Sequence, residues 1–122
     1  MPTPSGHTSA IRAKKVIGSG VKDNSGSQIG KIEDIVLDKM SDNVMFAVVG
    51  FGGVLGMGEK YHPIPWSTLS YDPSQDCYVL NVTKEALEQA PADKIDELTR
   101  ADGTAFRDRS YQHYGAQPYW RQ

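Results

Sequence analysis

"VMFAVVGFGGVLGMGEKYHPIPW", Val44 to Trp66, joins three unlike pieces, and their reading decides the fold. Val44 to Phe51 is apolar at nearly every position, so the alternation of a half-wetted strand is lost. A short, β-branched run of this kind is a strand buried on both faces. One face serves the domain core. The other needs a cover, either a C-terminal helix or a second copy of the chain. The middle piece is glycine-rich, with five glycines in the nine residues from Gly50 to Gly58. It is either a phosphate cradle or a connection between strands.

The spacing rejects the cradle. A dinucleotide fingerprint needs G-x-G-x-x-G opening a helix. Counted from Gly50 and Gly52, the third glycine falls on Leu55; counted from Gly56 and Gly58, it falls on Tyr61. A Walker loop needs Gly-Lys-Ser/Thr, but Lys60 stands between Glu59 and Tyr61. Pro63 and Pro65 forbid a following helix, so no helix N-terminus would attract an anion. The segment is a strand-to-strand connection. Val54, Leu55 and Met57 are apolar residues within it, and exposed apolar residues mark contact surfaces. The third piece, "EKYHPIPW", lacks two backbone donors and belongs at a sheet edge.

Upstream, "GSGVKDNSGSQIGKIEDIVLD" (Gly18 to Asp38) reads as strand, turn at Asn24-Ser25-Gly26, strand. Ile32, Ile35 and Leu37 cannot all point inward on a strict period of two, which predicts a bulge near Glu33-Asp34. "KMSDN" (Lys39 to Asn43) is a second turn. Downstream, "YDPSQDCYVLNV" is a hairpin, with Tyr78, Leu80 and Val82 on one face and Cys77 and Val79 on the other. Thr83 is a good N-cap for "KEALEQA", which Pro91 stops. Asp93 is placed to cap a short helix carrying Ile95 and Leu98. Thr104 is placed to cap "AFRDRSYQHY", ended by Gly115. The expected organisation is a disordered tail over 1–10, a mainly β domain of five or six short strands over 11–91, and a helical, aromatic extension over 92–122.

Gly30, Asp34 with Asp38, the Gly56-x-Gly58-Glu59-Lys60 turn, Ile64-Pro65-Trp66, Asp72-Pro73 and Tyr78-x-Leu80 before Thr83-Lys84 form an ordered set. With it, Ala13 to Pro91 resembles the PRC-barrel family. Its namesakes are the cytoplasmic domain of the photosynthetic reaction centre H subunit and the C-terminal domain of the ribosome maturation factor. The tail "FRDRSYQHYGAQPYW" looks like one found after this domain in small stand-alone bacterial members. The resemblance implies a small β-barrel used for docking, with no known catalytic residues. It transfers no partner, because neither the membrane helix of the first namesake nor the RNA-processing domain of the second is in the sequence.

Charge and chemistry narrow the function further. The net charge is −2, unevenly spread. Residues 1–22 carry four Lys/Arg and no acid, residues 23–102 six against fourteen Asp/Glu, and residues 103–122 three Arg against one Asp. An acidic body repels phosphate backbones, so no nucleic acid is expected as partner. No apolar run spans a bilayer and the N-terminus lacks a secretory signal, so the expected location is the cytoplasm, without membrane insertion. One cysteine, Cys77, permits no internal disulfide. His7, His62 and His113 have no metal-ligand spacing, and a lone mid-strand thiol is a small buried hydrophobe rather than a nucleophile. No catalytic residue, cofactor or metal site is expected. Glu33, Asp34, Asp38 and Asp42 are an acidic cluster without EF-hand spacing; Asp34 is placed to anchor the bulge.

The function expected is a non-catalytic docking or assembly module, a homodimer with a further, unidentified protein partner. Its contact residues would be Met45, Ala47, Val49 and Phe51 on the apolar strand, Val54, Leu55 and Met57 in the loop, and Tyr111, Tyr114, Tyr119 and Trp120 in the tail. Gly30, Asp34, Pro65, Trp66 and Thr83 would be structural. The alternative is a regulatory protein that binds a small ligand or a divalent cation at the acidic cluster or the barrel mouth.

Overall fold

A length constraint makes the sheet of this protein curl. The computed structural model describes residues 10–51 and 60–121. The strands are β1 (Gly20–Lys22), β2 (Gln28–Asp38), β3 (Asn43–Gly50), β4 (His62–Ile64), β5 (Leu69–Asp72) and β6 (Cys77–Leu80). Across the sheet they run β4-β3-β2-β1-β6-β5. β1 and β6 pair in parallel; the other neighbours are antiparallel. β4 and β5 are therefore the two edges, yet residues 65–68 alone connect them. Six flat strands would put the outer pair about 24 Å apart. The five steps from Ile64 to Leu69 reach at most about 18 Å, and Trp66–Thr68 shortens them by winding into a 3-10 turn. The sheet bends into a half-barrel. The mainly β, barrel-type fold with a C-terminal helix read from the sequence is the fold observed, and Pro63 lies in an edge strand.

Local chemistry sets the turns. Between β1 and β2 the Asp23 carboxylate accepts from the backbone N–H of Ser25 and Ser27, at 2.9 and 3.1 Å, while Gly26 takes φ 89°. The bulge appears where the apolar phase changes: Ile32 faces Val49, and Asp34 faces Val48, so Glu33 is the extra residue. Asp34 Oδ1 accepts from the Ile35 N–H at 2.8 Å. A second register shift follows at Val36/Leu37. There the extra residue is Met45 on β3, and Leu37 is 67 % exposed, against the expectation that Ile32, Ile35 and Leu37 all point inward. Gly30 cannot carry a side chain, since a Cβ there would lie 2.3 Å from the Gly50 carbonyl oxygen on β3.

Among the described residues four helices accompany the sheet: α1 (Ala13–Val16), α2 (Lys84–Glu88), α3 (Ile95–Leu98) and α4 (Thr104–Tyr114). The Thr83 hydroxyl caps α2 by accepting from the Ala86 N–H at 3.1 Å. Asp93 caps nothing; its carboxylate accepts from the Lys94 N–H, and Lys94 holds the N-cap position. Thr104 is likewise the first helical residue of α4 rather than its cap, because Gly103, at φ 72°, makes the turn in. At the far end Gly115, at φ 67°, lets the Ala116 N–H reach the Tyr111 carbonyl at 2.9 Å, closing the helix.

Two apolar clusters share β3. Ala47, Val49 and Phe51 pack inside the curl with Val21, Ile32, Ile64, Tyr78, Leu80 and Leu87. Met45, Phe46 and Val48 pack on the other face with Leu98 of α3, Phe106 of α4, Val36 and Tyr61.

Candidate interaction site

The second face of β3 is covered by the chain's own C-terminal extension. Tyr111 of α4 fastens that cover: it is buried, and its hydroxyl donates to the Met45 carbonyl at 2.9 Å. Burial pushes this phenol up to about 12. The 3-10 turn Tyr119–Arg121 then folds back toward the β2–β3 hairpin. There the Tyr119 hydroxyl donates to Asp38 Oδ2 at 2.7 Å, which holds the Asp38 carboxyl below its usual range. Trp120 is gripped from two sides, with the Arg107 guanidinium 3.7 Å from its ring centroid and Tyr111 edge-on at 4.7 Å.

On either side of the anchoring Asp38 the hairpin tip exposes Leu37 and, 91 % exposed, Met40. Both are apolar, and in sequence they stand on either side of the residue that holds Tyr119. Residue alternation conceals Leu37, which it counts among the inward side chains; φ 61° at Asp42 shapes the turn that presents Met40.

The other expected contact residues are distributed as follows. Met45, Ala47, Val49 and Phe51 are each under 7 % exposed, covered within this chain. Tyr111 is buried as described, and Tyr114 is half-buried against the inner cluster. The Tyr114 hydroxyl is enclosed without a hydrogen-bond partner, and burial pushes it well above the ordinary phenol range. Val54, Leu55 and Met57 lie outside the described residues. Pro65 is buried, and the half-buried Trp66 leans on Tyr78 at 5.4 Å between ring centroids.

Among the described residues no three His, Cys, Asp or Glu side chains come together as metal ligands. Asp38 is engaged by Tyr119 and Asp34 by Ile35, so two members of the acidic cluster already have partners. Cys77 is buried in β6. His62, on β4, is a residue whose role the sequence did not disclose. It is fully buried, edge-on to Phe51 at 4.7 Å, and neither ring nitrogen has a hydrogen-bond partner. Burial drives its pKa down to about 4; the Pro91 carbonyl opposes this without forming a hydrogen bond, and the nearby His113 adds to it.

The curled sheet, the bulged β2 and the capped α2 coincide with a match to the family model for the PRC-barrel domain over residues 9–87. The chain belongs to the PRC-barrel domain family. A search of the curated proteins finds no match to it. PRC-barrel domains are small interaction or assembly modules and are generally non-catalytic. In this member the family segment ends at residue 87, so the residues of α3 and α4 that cover β3 lie beyond it. Among the described residues no helix is long and apolar enough to cross a membrane.

Proposed function

We propose that this PRC-barrel protein is a non-catalytic, cytoplasmic docking module that pairs with a second copy of itself through the β2–β3 hairpin tip and the C-terminal aromatics. The observation that carries this reading is the exposure of Leu37 and Met40 on both sides of Asp38, where the tail is anchored. Burying one such side chain is worth about 1.5–3 kcal/mol. A two-fold axis would bring the same patch from each copy together and count every contact twice. Tyr119 is tied to Asp38 and Trp120 is held by Arg107, so little conformational freedom is lost when they are covered. Val54, Leu55 and Met57 belong to the proposed surface on their sequence pattern. The unpaired, buried thiol of Cys77 supports a reducing compartment and a non-catalytic role.

Sedimentation equilibrium at micromolar concentration tests the pairing. The full chain is expected as a dimer, and the Leu37→Ser, Met40→Ser double variant as a folded monomer. A wild-type chain that stays monomeric at that concentration overturns self-pairing; a double variant that still dimerises moves the interface elsewhere.

A further inference from the structure

An open cleft of about 530 Å³ lies where the barrel meets its extension. Its walls come from three places: Lys60 ahead of β4, Gln89 to Ala92 after α2, and Arg109, Gln112 and His113 on α4. The volume is that of a small-molecule site, and junctions between structural units are where such sites form. Among the described residues the lining side chains are two cations, an imidazole and two amides, with alanine and proline between them and no carboxylate. That composition stands out in a body where acids outnumber bases by more than two to one over residues 23–102.

The cations are uncommitted. Arg100 and Arg107 are each paired with a carboxylate, whereas among the described residues Lys60 and Arg109 have no ion pair. Arg109 is steadied by lying over the Phe106 ring at 4.9 Å, and among the described residues its guanidinium has no ion pair. The His113 ring is fixed by its Nε2, which donates to the Ala86 carbonyl at 2.8 Å, since a carbonyl only accepts. Gln89 and Gln112 add neutral donors beside the charges. A planar guanidinium beside an ammonium suits the paired oxygens of a carboxylate or phosphate. The acidic surroundings would repel a polyanion.

We infer that this cleft binds a small anion bearing carboxylate or phosphate groups. The site is independent of the docking surface, so the failure of either leaves the other standing.

Backbone amide shifts in two-dimensional NMR, at constant ionic strength, test it with two probes, inorganic phosphate and succinate. Saturable shifts are expected at Lys60, Ala92, Arg109 and Gln112. Saturation by phosphate alone, by succinate alone or by both identifies the headgroup and supports the site in each case. The Lys60→Gln, Arg109→Gln double variant, altered at two exposed positions, is expected to weaken binding about tenfold or more. Gln112→Glu, which puts a like charge in the cleft, is expected to weaken it as well. Shifts that never saturate with either probe, or affinities within about twofold of wild type in both variants, overturn the site.

Discussion

The two faces of β3 are equally dry, but they are closed by different means. The inner face, Ala47, Val49 and Phe51, is sealed mainly by the curl of the sheet, with strands β1, β2, β4 and β6 supplying most of the opposing side chains and Val16, Leu87 and Tyr114 of the helices completing them. The outer face, Met45, Phe46 and Val48, is sealed by α3 and α4, which lie beyond the family segment. A strand greasy on both sides therefore announces that a cover exists without saying whose it is. Here the cover is the chain's own tail, which leaves Leu37 and Met40 bare.

Removing the outer seal is the largest perturbation available. Truncation after Pro91 uncovers Phe46 and Val48, now under 2 % exposed, together with Met45. At about 1.5–3 kcal/mol for each side chain, the loss approaches the whole stability of an ordinary domain. The truncated chain is expected to be unfolded or aggregated by circular dichroism and light scattering. A folded, monomeric truncation product would erase the distinction between the faces.

The inner face has its own weak point in His62, which a change of pH addresses without mutation. In the folded chain this imidazole stays neutral down to about pH 4, while in the unfolded chain it takes a proton near its ordinary value of 6.5. Between those values the unfolded state binds more protons, so stability falls as pH is lowered through the window. The loss is about 3 kcal/mol by pH 4. The carboxyls of Asp23, Asp38 and Asp72 are likewise held below their ordinary value of 3.8, and their losses begin only at lower pH. Urea unfolding at pH 7 and pH 4.5 measures the slope. His62→Leu should flatten it; an unchanged slope in that variant would assign the pH dependence elsewhere.

A backbone contact joins the same inner face to its neighbour strand. In Gly30→Ala the added methyl meets the Gly50 carbonyl oxygen at 2.3 Å, and main chain cannot rotate away as a side chain can. The expected cost is about 3 kcal/mol, read as a lower urea midpoint.

Much of this was legible in the sequence because it follows from local chemistry. The Asn24-Ser25-Gly26 turn, the bulge at Glu33, the edge position of Pro63 and the Thr83 cap each depend on a few adjacent residues. The missed features depend on register or on distant partners. Leu37 is exposed because of what packs, or does not pack, over the hairpin end, which periodicity does not encode. Thr104 has the right chemistry for a cap, but Gly103 made the turn first. Lys60 and Arg109 stand 49 residues apart and share a cleft only because α4 returns across β4. The tail was equally consistent with closing this chain or a partner, since an aromatic side chain packs alike in both.

The smallest test isolates the fastening from the cover. Tyr111→Phe keeps the ring that packs against Tyr119 and Trp120 but removes the hydroxyl that donates to the Met45 carbonyl. That carbonyl is left buried with one partner fewer, at a cost of about 1–2 kcal/mol. The substitution should lower the urea midpoint modestly and leave the inner face unaffected. Hydrogen exchange separates the two: the amides of α4 should exchange faster, while those of β1 and β6 keep their protection. Equal acceleration in all of them would mean that the two faces of β3 open as one unit, and that the tail is part of the barrel's cooperative core rather than a cover laid over it.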